Sequence, residues 1–172
     1  MTKYVVFLRG VNVGGRVVKM AELKACLEKA GFKNVKTLLQ SGNVIFESDK
    51  KQSALKPEIE KLLTKTFNYP AKVWVISVNQ LKTIVEANPF AGADKTYQQY
   101  VIFFEDDLAK DFAGEAGDLT NEEVTAGQGV AYWKVQKGQT LKSTRGKLLS
   151  KAKYKNFNTN RNINTLQKIL TS

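Results

Sequence analysis

Two polar, glycine-bearing segments carry residue types suited to holding an anion. The first, Leu8-Arg9-Gly10-Val11-Asn12-Val13-Gly14-Gly15-Arg16, leaves an apolar run and leads toward a helix-like stretch. Glycines at 10, 14 and 15 permit φ > 0 and close backbone approach, so successive N–H groups can form an anion-binding nest flanked by Arg9, Arg16 and Lys19. The second, Gln40-Ser41-Gly42-Asn43, separates two strand-like runs. Together they offer Arg9, Asn12, Gly14, Gly15, Gln40, Ser41 and Asn43 to one small polar or anionic ligand. The same residues also suit plain architecture: glycines for a long crossover, Ser41-Gly42 for a hairpin turn, Asn12 as a partner for loop backbone. Neither a G-x-G-x-x-G nor a G-K-[ST] is present, so no dinucleotide fingerprint or phosphate loop is indicated.

A second set of candidates is electrostatic. Residues 124 to 172 contain ten Lys and Arg and no Asp or Glu, so +10 of the formal +11 charge lies in the last 49 residues. The first 123 residues are nearly neutral, with 17 basic against 16 acidic side chains. So lopsided a field points to an anionic partner, nucleic acid or another polyanion, with Lys147, Lys151, Lys153, Lys155 and Arg161 on phosphates and Tyr154 or Phe157 available for stacking. The i, i+4 recurrence of Lys147, Lys151 and Lys155 equally describes an ordinary solvated helix face.

Other chemistries are bounded by what is missing. There is no histidine, so no Ser-His or Cys-His pair and no imidazole base; the one cysteine, Cys26, builds neither a disulfide nor a structural zinc site. Catalysis here would fall to carboxylate, Lys, Tyr, Arg or backbone groups. Glu105-Asp106-Asp107 is the densest carboxylate cluster, but it follows QYVIFF and precedes Leu108-Ala109-Lys110, the pattern of an acid-rich helix start rather than of a magnesium site. No metal and no cofactor is expected. The run Tyr4 to Leu8 is too short for a signal-peptide core and no stretch approaches membrane-spanning length, so the expectation is a soluble cytoplasmic protein with no membrane partner.

The elements that must position these groups read as α+β. Tyr4–Leu8 is a strand, Met20–Ala30 a helix with Ala21, Leu23, Cys26, Leu27 and Ala30 on its apolar side, and Gly31 its stop. Val35–Leu39 and Asn43–Glu47 pair through a tight turn; a helix over Ser53–Thr66 and a strand over Lys72–Ile76 complete βαββαβ, the ferredoxin-like order. Strands Tyr4–Leu8 and Val73–Ile76 are apolar on both faces, so the face opposite the helices should be covered and the two halves should pack tightly. That argues against RNA recognition on an open sheet face.

Ser77 with Gln80 forms a capping box for a helix ending at Asn88-Pro89. A strand over Gln99–Phe104, a helix over Leu108–Phe112 and strands near Val124 and over Val130–Val135 follow. Helices over Arg145–Tyr154 and Asn162–Leu170 close the chain. The organisation expected is a ferredoxin-like subdomain over 1–76, a connecting helix and linker over 77–96, and a second, related α+β subdomain over 97–172 with basic C-terminal helices.

LRGVNVGG with the Met-x-x-Leu helix after it, QSGNVIFES, Asn88-Pro89-Phe90 and NRNINT at 160–165 together resemble the bacterial domain of unknown function 1697 family. The resemblance implies a small bacterial protein of ferredoxin-like architecture without an established activity or cofactor. Val11 departs from the usual Ile, and Ile163 stands where an aromatic usually follows the Arg-Asn pair; Arg161 and Asn162 match. They join the ligand candidates. Two functional expectations result: an anion or nucleic-acid binder acting through the basic C-terminal third, or a small-ligand-binding protein or enzyme with its site at Arg9–Gly15 and Gln40–Asn43.

Overall fold

The computed structural model describes residues 1–10, 17–38, 42–115 and 119–172. The chain divides into two compact units, Met1–Leu81 and Lys82–Ser172. It is a mixed α+β protein whose strands form two four-stranded antiparallel sheets, with seven helices among the described residues.

The first unit runs β1 (Thr2–Arg9), α1 (Met20–Lys29), β2 (Lys33–Leu38), β3 (Asn43–Ser48), α2 (Gln52–Phe67) and β4 (Lys72–Ser77), with strand order β2-β3-β1-β4. Side chains alternate across each strand. Tyr4, Val6 and Leu8 of β1 join Val44, Phe46, Val73 and Val75 in a core with Leu23 and Leu27 of α1 and Leu55, Ile59 and Leu63 of α2. The i, i+4 spacing of these leucines sets the buried stripe of each helix, and burial of each such side chain stabilises by roughly 1.5–3 kcal/mol. Val5, Phe7, Ile45 and Ile76, on the other face, are buried too. Two details differ from the sequence reading of α1: Ala21 and Ala30 are exposed, and half-buried Cys26 donates from Sγ to Thr66 Oγ1 at 3.4 Å.

Helix α3 (Val78–Glu86) opens on the capping box, Ser77 N–H donating to Gln80 Oε1 and Gln80 N–H to Ser77 Oγ. The second unit then runs β5 (Tyr97–Phe104), α4 (Leu108–Gly114), β6 (Glu122–Ala126), β7 (Val130–Gln136), α5 (Thr144–Leu149), α6 (Ala152–Lys155), β8 (Asn158–Asn162) and α7 (Ile163–Leu170). Its strand order is β6-β7-β5-β8. Ile102, Phe104, Phe112, Trp133, Leu148 and Tyr154 fill the core on the helix side. Asn88-Pro89-Phe90 is explained by packing: Asn88 Nδ2 donates to Gln99 Oε1, Phe90 is buried, and the Lys134 ammonium lies over the Phe90 and Tyr97 rings.

Two expectations for this unit are corrected. The single helix over Arg145–Tyr154 is two short helices, because Leu148 and Tyr154 both enter the core. On one continuous helix, residues six apart point about 120° away from each other. The chain instead takes an extended conformation at Lys151 (φ −72°, ψ 149°) and restarts. The second correction is β8, a fourth strand not expected from Asn-Thr-Asn-Arg-Asn; it pairs with β5 from Tyr100↔Asn162 to Phe104↔Asn158.

Candidate functional site

Arg9 and Asn43, the candidates of the loop and the turn that are described, lie at one end of the first sheet. Strands β1 and β2 both pair antiparallel to β3 and so run the same way. The exit of β1 consequently lies beside the turn between β2 and β3: Phe7 sits opposite Asn43, and Leu8 N–H donates to the Gly42 carbonyl at 2.8 Å. Gly10 (φ 68°) and Gly42 (φ 81°) adopt left-handed backbone that other residues enter only at a cost. Arg9, half-buried, ends β1 opposite Lys72. Asn43 is fully buried, and its Nδ2 donates to the Leu38 carbonyl at 3.0 Å, so this amide closes the hairpin. Asn12, Gly14, Gly15, Gln40 and Ser41 lie outside the described residues.

The basic residues of the second unit sort into distinct roles. Arg145 is buried (1% exposed); its Nη2 donates to the Ala113 and Glu115 carbonyls, and its backbone N–H donates to the buried Glu122 carboxylate. Half-buried Arg161 lies on β8 opposite Val101, and its Nη1 donates to the Asn160 carbonyl. Burial lowers its pKa to about 10. Lys134 pairs with Glu123 at 3.0 Å, and Lys153 with Asp111 at 3.4 Å and Glu115 at 3.8 Å. The Asp111 contact holds the Lys153 ammonium above the usual lysine range.

Lys142, Lys147, Lys151 and Lys155 are exposed. They do not share one helix face, since Lys147 is in α5, Lys151 in the break and Lys155 at the end of α6. Tyr154, expected to be available for stacking, is buried instead, and its hydroxyl donates to Glu115 Oε1 at 2.8 Å; Phe157 is the exposed aromatic, at 38%. Burial, reinforced by Glu115, pushes the Tyr154 phenol up.

The course of this segment follows from its two ends. Thr140 Oγ1 donates to Gln98 Oε1 near the start of β5, whereas Glu105 N–H donates to the Phe157 carbonyl just beyond its end. Residues 141–156 therefore cross the unit along the length of β5, about 26 Å for eight strand residues. Lys142 falls outside the i, i+4 recurrence of Lys147, Lys151 and Lys155, so spacing alone does not single it out. Asn162 Oδ1 caps α7 by accepting the Asn164 N–H at 2.9 Å. Glu105-Asp106-Asp107 is the turn before α4, and no group of three His, Cys, Asp or Glu among the described residues is placed to hold a metal. No helix among them is long and apolar enough to cross a membrane.

A family model described as a protein of unknown function, DUF1697, matches residues 1–132. Among solved structures, the chain is similar to the conserved bacterial protein SP0830 from Streptococcus pneumoniae. The two are 26% identical with a TM-score of 0.84, over 99% of this chain and 97% of that one. No curated protein matches the chain.

Proposed function

The chain belongs to the DUF1697 family, and we propose that it binds a nucleic acid strand or comparable linear polyanion along the lysines of residues 142–155. The carrying observation is that one segment, without a carboxylate of its own, crosses the second unit and exposes Lys142, Lys147, Lys151 and Lys155, ending at exposed Phe157. Four ammonium groups over about 26 Å suit a few consecutive phosphates, with Phe157 as a platform for one base. Lys153 is set apart from this role by its carboxylate partners. The element and strand orders support reading both units as ferredoxin-like.

Salt titration tests the proposal. If each of the four lysines neutralises one phosphate, log K for a single-stranded oligonucleotide should fall with log salt at a slope of about −3. Replacing Lys147, Lys151 and Lys155 by Gln removes three charges and little packing, and should flatten the slope to about −1. Absence of binding at low salt, or a slope indifferent to the triple change, removes this reading.

A second reading keeps a small-ligand site at the Arg9–Gly15 and Gln40–Asn43 end of the first sheet. It is favoured by connection length: β1 reaches α1 through residues 10–19, whereas β5 reaches α4 through Glu105, Asp106 and Asp107 alone.

A further inference from the structure

A cavity of about 470 Å³ lies within the second unit near the start of β5, lined among others by Lys95, Gln98, Gln99, Lys137 and Asn162. Its volume falls in the usual range for small-molecule sites, about 300–1,000 Å³. The hydrogen-bonding sense of its wall can be read from fixed donors. Asn88 Oδ1 accepts the Phe90 backbone N–H at 3.1 Å, which turns the Asn88 amide nitrogen toward Gln99 Oε1 at 2.7 Å. Asn162 Oδ1 is occupied by the Asn164 backbone N–H. Gln98 Oε1 accepts from the Tyr100 and Thr140 hydroxyls at 2.8 and 3.2 Å. The Gln98 and Asn162 amide oxygens are engaged inside the protein, and their amide nitrogens donate no hydrogen bond among the described residues. Asn162 is opposite Tyr100 and so shares the sheet face of Gln98, whereas Gln99 turns its side chain to the other face, toward Asn88.

Each primary amide carries two N–H donors on that nitrogen, and the exposed ammonium groups of Lys95 and Lys137 add donors and positive charge. One carboxylate lines the cavity, that of Asp94, and its Oδ1 is turned to the Thr96 backbone N–H at 2.7 Å. We propose that this cavity binds a small organic anion rich in acceptor oxygens, its phosphate or carboxylate on Lys95 and Lys137 and its carbonyl or hydroxyl oxygens on the Gln98 and Asn162 amides. The site is separate from the lysine track and does not rest on it.

Isothermal titration of the full-length protein with uridine monophosphate, citrate and inorganic phosphate tests this. Expected is saturable one-to-one binding of uridine monophosphate or citrate, at least tenfold tighter than inorganic phosphate; which of the two binds identifies the anionic group. Gln98→Glu keeps an oxygen for the Tyr100 and Thr140 hydroxyls, and Asn162→Asp keeps an oxygen that caps α7, but each replaces the donor by an acceptor. Each should weaken binding tenfold or more at an unchanged melting temperature, and Lys137→Gln, at an exposed position, should weaken it as well. Failure of both organic anions to bind, or affinity indifferent to all three substitutions, overturns the proposal. Equal loss of affinity in the Lys147, Lys151 and Lys155 triple variant also overturns it, by placing the ligand on the track. A triple variant that loses oligonucleotide binding yet retains the small anion separates the two sites.

Discussion

Residues Met1–Leu81 and Lys82–Ser172 follow the same series of elements and order their strands the same way, β2-β3-β1-β4 and β6-β7-β5-β8, yet they join those strands differently. One unit spends ten residues, 10–19, between its first strand and first helix, where the other spends three. One covers its sheet with the 16-residue α2, where the other uses two short helices separated by a break. Each unit thus demonstrates what its counterpart's architecture can do without. The long glycine-bearing connection of the first and the broken, lysine-bearing helix pair of the second are departures that the shared topology does not require. Those are also the two places where the sequence concentrates anion-binding residue types.

The largest expected break of this parallel is at the start of α5. There the buried side chain is Arg145, whereas the matching start of α2 buries Leu55. Arg145→Ala removes the donors to the Ala113 and Glu115 carbonyls and leaves a void against Phe112. A loss of about 3 kcal/mol or more is expected. Hydrogen exchange should show it as a roughly hundredfold or larger drop in protection of the β5–β8 amides. A loss under about 1 kcal/mol would mean that this arginine is no more committed to the fold than a surface side chain.

Next in size is Gly146. A Cβ built there would lie 1.8 Å from the Thr140 carbonyl oxygen, which is backbone and has little freedom to retreat. Gly146→Ala should cost about 1–3 kcal/mol by overpacking, read from denaturant midpoints at constant m. If α5 instead tolerates the methyl group, the close seating of the turn ahead of it is not what holds the helix break in place.

The parallel also explains what was legible in the sequence. Periodicity marked α1, α2 and α7 because their apolar stripes recur at helical spacing, and β1 and β4 because both of their faces are apolar. Strand β8 escaped because Asn-Thr-Asn-Arg-Asn has no apolar alternation; as an edge strand it is held by pairing to β5. Only the expectation that a second βαββ must close with a fourth strand could have flagged it. The α5–α6 break escaped because Lys147, Lys151 and Lys155 keep a helical spacing that the backbone does not follow. Asn43 was read as a ligand group from its type, while its buried place and the Leu38 carbonyl make it a hairpin clamp. The donor-lined cavity was illegible, since which end of an amide is spent internally depends on tertiary partners.

Tyr154 offers a smaller effect with a pH signature. Its phenol is raised by burial and by the hydrogen bond to Glu115. A raised acid favours its protonated form in the folded state, so its contribution is fully present below the unfolded tyrosine pKa of about 10 and is lost as pH rises beyond it. Tyr154→Phe should cost about 1 kcal/mol at pH 7 from the lost hydrogen bond. Above about pH 10 the difference from wild type should shrink, because the variant has no phenol to ionise there. Tyr132, raised by burial and bonded through its hydroxyl to the Ile84 carbonyl, leaves part of the alkaline decline in place. Denaturation curves at pH 7 and near pH 10.5 check the sign. A difference that widens with pH contradicts the assigned direction.

The smallest effect on stability, and the sharpest on the comparison, is expected at Asn12. Since the second unit completes the same crossover with three residues, the asparagine within residues 10–19 is not demanded by topology. Asn12→Ala should shift stability by no more than about 0.5 kcal/mol, a change of about 1–2 °C in melting temperature for a chain of this length. Ligand-dependent stabilisation should behave differently. If this loop holds an anion, the rise in melting temperature that phosphate or a nucleotide gives the wild type should vanish in Asn12→Ala, because mass action acts only through the bound form. A large loss of melting temperature without any anion present would assign Asn12 to the loop's own backbone. The added length would then be architecture that the first unit needs and the second does not.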